Sequence, residues 1–170
     1  SSAFLFHDET KDGFASIAVN GHKETWPLRS KFFKQWLVRQ YYEQTEKSPN
    51  NEALRQALNV IEAKAVFDGP EIKLSLRVAE HEGALWYDLA NKAWQAVKIT
   101  PDGWEVINNP PILFRRFKNT AAQILPQKGG SFDLLRKYIN LKDEEDWLLL
   151  TALIAHAFVP GIPHAIPVFY

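Results

Sequence analysis

The sequence contains no cysteine and no methionine. Without cysteine there are no disulfides, no thiolate zinc sites, no iron–sulfur ligation and no thiol nucleophile. That absence suits a reducing, cytoplasmic setting. The lack of methionine, even at position 1, points to a segment of a longer polypeptide. Charge of one sign is missing too: 20 basic residues face 20 acidic ones. The chain as a whole is therefore no polyanion binder, and any nucleic-acid contact has to come from a local patch. Long hydrophobic runs are also absent. The longest, Trp147 to Pro160, is too short to cross a bilayer and carries His156, so no membrane partner is expected. The N-terminal Ser-Ser-Ala-Phe has no basic region followed by an apolar run, which excludes a secretory signal there.

Complete catalytic and cofactor motifs are lacking as well. Gln127-Lys128-Gly129-Gly130-Ser131 misses the G-x-x-x-x-G-K-[ST] spacing of a phosphate loop, and a Gly-Gly pair before a Ser N-cap explains it. No Ser, His and Asp are arranged as a nucleophile elbow. The expectation is a non-enzymatic chain with no cofactor.

What is present is an ordinary globular composition. The 170 residues are 46% hydrophobic and 24% charged. A chain of this size buries roughly 70% of its unfolded surface and needs no staple to fold. Phe4–His7 and Phe14–Val19 are β-type runs around Asp12-Gly13, and Glu24–Pro27 adds a third. Ser30 caps a helix running to about Thr45, with Phe32, Phe33, Trp36, Leu37 and Tyr41 on one apolar face. Ser48-Pro49-Asn50-Asn51 breaks the chain and caps a second helix through Leu54, Leu58, Ile61 and Ala65, which stops at Asp68-Gly69-Pro70.

Ile72, Leu74, Leu76 and Val78 alternate with polar residues and predict a strand. Glu82-Gly83 and Pro101-Asp102-Gly103 mark two hairpins, the second flanked by Trp94–Thr100 and Trp104–Ile107. Trp94 and Trp104 are placed to pair across it. With Ile112–Phe114 these segments form an antiparallel meander over 71–115. A loop follows to Gly129-Gly130, and Ser131 caps a short helix. A last helix, apolar nearly all round from Trp147 to Phe158, is expected to be buried. Pro160-Gly161-Ile162-Pro163 breaks it before a terminal apolar strand over 165–170. The fold class is α+β. Residues 1–115 form the main domain, 116–130 a basic loop, and 131–170 a helical segment with a strand that begins, or docks on, a following ATPase domain.

Several stretches resemble a known family. They are His22-Lys23-Glu24-Thr25-Trp26-Pro27, Val78-Ala79-Glu80-His81-Glu82-Gly83, Trp86-Tyr87-Asp88-Leu89, Ile99-Thr100-Pro101-Asp102-Gly103-Trp104, Pro110-Pro111-Ile112-Leu113-Phe114-Arg115-Arg116 and the terminal Ile166-Pro167-Val168-Phe169-Tyr170. Across nearly the whole chain they resemble the segment before the Walker A loop in phage and mobile-element primase–helicase ATPases related to superfamily 3 helicases. The Walker A, Walker B and arginine elements of that family are absent. The resemblance therefore implies ATP hydrolysis by the parent protein and an accessory role in DNA replication for this chain. It also implies DNA, the ATPase domain of the same polypeptide and further copies in a ring as partners.

Two basic features are candidates for nucleic-acid contact. The outer face of the first helix carries Lys31, Lys34, Gln35, Val38 and Tyr42, cations interleaved with an aromatic, as a backbone-tracking, base-stacking surface requires. A solvated face of good helix formers accounts for the same residues. Arg115, Arg116 and Lys118, with Lys128 beyond, form the densest basic run in a proline-flanked loop. The alternative there is an exposed linker, or arginines pairing with the acids of 143–146. His7-Asp8-Glu9 is the one cluster of ligand types. Only His7 and Glu9 share a strand face, so a solvated strand end is expected rather than a metal-dependent hydrolase. His156 reads as a hydrogen-bonded core histidine. A purely structural interaction module, with 143–170 docking on another domain through a patch around Val168 and Tyr170, is the second functional reading.

Overall fold

The computed structural model describes residues 3–163 and Ile166. Three antiparallel strands, β1 (Phe4–His7), β2 (Gly13–Val19) and β3 (His22–Pro27), form the first sheet. Helices α1 (Lys31–Thr45) and α2 (Asn51–Phe67) follow. A second sheet is the meander β4 (Val78–His81), β5 (Ala84–Asp88), β6 (Ala96–Thr100) and β7 (Gly103–Ile107). A 3-10 turn over Phe132–Lys137 and helix α3 (Glu144–His156) complete the α+β architecture.

Local chemistry starts both long helices. The Ser30 side chain accepts from the Phe33 amide, and Asn50 accepts from Ala53. Each satisfies an amide that the helix itself leaves unpaired. The two helices cover one face of the first sheet. Ala15, Ile17 and Leu28 from the sheet meet Phe33 of α1 and Ala65 of α2 in a core cluster. Phe6 and Phe14, on the opposite face, are fully buried toward the meander side and stack at 5.7 Å. The meander builds its own cluster from Ala79, Ala84, Trp86, Ala96 and Phe114.

Four expectations are corrected. The strand predicted over 72–78 does not form as one element: regular pairing starts at Val78, and the stretch before it makes only single parallel bridges, Glu71 to His7 and Ser75 to Phe114. The Ile72 amide donates to His7 and the Ser75 amide to Leu113. The segment crosses from one sheet to the other, so its hydrogen bonds are divided between two partners. Ile112–Phe114 is likewise a bridge partner rather than a strand. Trp94 does not pair with Trp104, which lies opposite Ile99. Trp94 has a left-handed backbone (φ 53) that ends the extended run before Ala96, and its ring meets Trp26 edge-on at 5.9 Å. Finally, α3 is not buried all round. Trp147 and Leu150 are buried, but Leu148 and Leu149 are 67% and 63% exposed. The terminal strand expected over 165–170, including Val168 and Tyr170, lies outside the described residues apart from Ile166.

Candidate nucleic-acid interface

The basic run 115–118 is not a free loop patch. Arg116 folds back onto the meander. Its Nε donates to Asp88 Oδ2 at 2.9 Å, its Nη2 to Asp88 Oδ1, and its Nη1 to the Asn91 carbonyl at 2.7 Å. Asp88 is 1% exposed. The guanidinium also stacks on Trp94 with its central carbon 3.9 Å from the ring centroid. All three guanidinium nitrogens of Arg116 thus donate inside the molecule. Trp94 in turn meets Trp26 of β3, and Trp26 stacks on Phe32 of α1 at 4.2 Å. One chain of ring and cation contacts therefore joins the meander to the first turn of α1.

Arg115 is also engaged. Its Nη1 reaches Asp8 Oδ2 at 3.3 Å, and its guanidinium lies near the rings of Phe14 and Phe117. The partners of both arginines are therefore Asp8 and Asp88, 107 and 28 residues away, and not the acids of 143–146. Arg136 takes one of those acids instead, with a bidentate pair to Glu144.

The expected solvated strand end at His7-Asp8-Glu9 is corrected as well: His7 and Asp8 are buried and only Glu9 is exposed. Asp8 organises the β1–β2 turn by accepting from the Thr10 hydroxyl and from the amides of Thr10 and Asp12. Burial raises its pKa, but those three hydrogen bonds and the Arg115 charge outweigh it and hold the carboxyl below its usual value. A lowered folded pKa contributes stability that is fully present above the unfolded value of about 4 and is lost as the pH falls through the folded one. Asp8→Asn is therefore expected to flatten the acid limb of the stability curve below about pH 4, read from urea midpoints across that range. Among the described residues no group of three His, Asp or Glu side chains is arranged to hold a metal ion.

The α1 face is different. Lys31, Lys34, Gln35 and Tyr42 are exposed, Val38 is half-buried, and Tyr42 is 58% accessible. At 100° per residue these side chains, with Tyr41, fall on one stripe. Lys31 to Tyr42 spans roughly 16 Å along the axis at 1.5 Å per residue. Neither lysine makes an ion pair among the described residues. The one acid within α1, Glu43, lies about 120° around the axis from Lys31 and is held by Arg39 and Gln40. Lys118 is exposed beside the engaged arginines, and Lys128 lines a separate cleft of about 560 Å³ with Lys98 and Trp104. The structure thus brings Lys31, Lys34 and Tyr42 together and disperses the rest.

Comparison with family models, with curated proteins and with solved structures finds no match to this chain. The functional reading therefore rests on the side chains themselves. Sequence reasoning missed Asp88 and Trp94 as the seat of Arg116. The signal was the buried-type setting of Asp88 at the end of an alternating strand, where a carboxylate needs a cation. No helix among the described residues is long and apolar enough to cross a membrane.

Proposed function

We propose that this chain is a non-catalytic nucleic-acid-contacting module, with the exposed stripe of α1 as its contact surface. The observation that carries the reading is the pairing of two unneutralised lysines with an exposed tyrosine on one acid-free helical stripe. Such a stripe follows a phosphate backbone with its cations and stacks a base on its ring. Arg116 supports the surface from behind through the Trp94–Trp26–Phe32 contacts, Arg115 is held at Asp8, and Lys118 and Lys128 extend the basic character elsewhere. The placement of the module beside the motor of a mobile-element replication ATPase rests on the sequence resemblance, which supplies DNA as the ligand and the ATPase domain of the same polypeptide as a partner.

Fluorescence anisotropy with a labelled single-stranded oligonucleotide, across a salt series, tests the reading. Lys31→Ala with Lys34→Ala is expected to weaken binding and to lower the log–log salt slope by about 0.7 for each phosphate no longer neutralised. Tyr42→Ala is expected to weaken binding by about 1–3 kcal/mol with the slope unchanged. Absence of binding at tens of micromolar DNA, or binding indifferent to all three changes, sinks the proposal.

A second reading, a subunit-assembly module, has its own observation. Leu148, Leu149, Ala152 and Ala155 are exposed on α3, and contiguous apolar surface of this kind marks interaction sites. Sedimentation velocity is expected to show self-association that Leu149→Lys abolishes. A monomer at all concentrations for the parent chain removes this reading.

A further inference from the structure

A groove of about 900 Å³ opens between the first sheet and the meander. Its wall on the first sheet is mainly the face opposite the helices, where register places Phe4, Ser16, Ala18 and Lys23 together, and Ala3 and Ile17 of the helix-covered side border it as well. Along its meander wall run Ala79, Glu80 and His81, three consecutive residues of β4. Successive strand residues point to opposite faces, so three in a row means that the groove follows the edge of the strand. That edge is unpaired, since β4 is the outermost strand of its sheet.

The turn decides which peptide groups the edge presents. Glu82 and Gly83 both have positive φ, 51° and 72°, as a two-residue primed hairpin requires. His81 and Ala84 then form the hydrogen-bonded pair that closes the turn, and pairs alternate from there. The Asp88 amide, which donates to Arg77, keeps the same alternation at the far end. Val78 and Glu80 therefore occupy non-hydrogen-bonded positions, with their N–H and C=O groups directed away from β5. No backbone or side-chain partner satisfies these groups among the described residues.

The remaining lining is chemically selective. Lys23 and Lys73 border the groove without an ion-pair partner among the described residues, and Glu80 is the one acid along it. Ser16, only 8% exposed, also lines the groove. Phe4, Ile72, Pro111 and Ile112 supply the apolar part.

We propose that this groove binds an extended acidic peptide as an added strand on β4. The Val78 and Glu80 peptide groups supply the main-chain hydrogen bonds. Lys23 and Lys73 receive acidic side chains on one face of the added strand, while its apolar side chains rest on Phe4 and Ile112. Strand addition of this kind draws affinity from the backbone and specificity from alternate side chains. The inference is independent of the α1 surface, which lies across the sheet.

The test uses a short fluorescein-labelled peptide of alternating valine and glutamate, and its valine–lysine counterpart. Anisotropy is expected to show the acidic peptide binding about tenfold more tightly, and Lys23→Glu with Lys73→Glu to reverse that preference. Amide hydrogen exchange is expected to show new protection at Val78 and Glu80 on binding. Glu80→Pro removes one outward N–H at an edge position where proline is tolerated, and it is expected to cut affinity about tenfold; its circular dichroism checks the fold. Equal binding of the two peptides, or binding without protection of either amide, overturns the proposal. Displacement of the peptide by octanoate without any amide protection marks a site for small apolar anions and overturns it as well.

Discussion

Arg116→Ala is expected to destabilise the fold by about 3–5 kcal/mol, because it leaves Asp88 as an uncompensated buried charge. Asp88 is 1% exposed and has the Arg116 guanidinium across both of its oxygens. The Ala90 amide is its other donor, at 3.1 Å. Against a typical total stability of about 5–15 kcal/mol the loss is large, and chemical denaturation with urea reads it directly. Arg116→Lys is expected to recover little. A lysine cannot hold both carboxylate oxygens, reach the Asn91 carbonyl and stack flat on Trp94 at once. Replacing both charges, Arg116→Leu with Asp88→Leu, is expected to restore part of the stability, since the cost of the single change is the stranded carboxylate rather than the lost attraction. A single Arg116→Ala loss under about 1 kcal/mol would show that solvent reaches Asp88 and would remove the ion pair as a structural centre.

The consequence for function is direct. A loss of DNA binding in Arg116→Ala that tracks a loss of folded protein says nothing of a phosphate contact. Lys31, Lys34 and Tyr42 are exposed, so their substitutions probe the surface without this confusion.

The second large effect is expected at Gly69. A β-carbon there would stand 2.5 Å from the Ala65 carbonyl oxygen, 3.0 Å from the Leu5 carbonyl oxygen and 3.1 Å from the Phe6 α-carbon. All three are backbone atoms, one set in the last turn of α2 and the other in β1. Gly69→Ala therefore forces the helix end off the strand, and roughly 3 kcal/mol is expected from overpacking. Gly13→Ala makes the contrast. Its closest neighbour, Leu28 Cδ1 at 2.8 Å, is the tip of a side chain and not backbone, so a smaller cost, about 1–2 kcal/mol, is expected. Parallel thermal and urea unfolding of the two variants compares them. Equal costs would mean that the α2–β1 junction is free to adjust.

Local features were legible from the residues alone. Ser30 and Asn50 begin α1 and α2 where capping chemistry places them, and Asp143 accepts from the Glu145 and Asp146 amides at the start of α3. The turns at Glu82-Gly83 and Thr100–Gly103 join antiparallel strands where the turn residues place hairpins. These features depend on residues within a few positions of one another. Residues 71–77 were not legible, although their alternation is clear, because their backbone bonds are divided between His7 of the first sheet and the irregular stretch at Leu113 and Arg115. The exposure of Leu148 and Leu149 was equally hidden: periodicity shows that a face is apolar, but not whether anything covers it.

The candidate site divides along the same line. The α1 stripe follows from helical spacing, so Lys31, Lys34 and Tyr42 could be placed together before any fold was known. The fate of Arg115 and Arg116 could not, because an arginine run reads the same whether it faces solvent or buried carboxylates. By itself the sequence determined the helices, the hairpins and the absence of thiol chemistry, since each depends on local sterics or on which atoms are present. Only the tertiary structure decided which cations remain free, because a charge is neutralised by whatever the fold brings within a few ångströms, and for Arg115 that partner is 107 residues away.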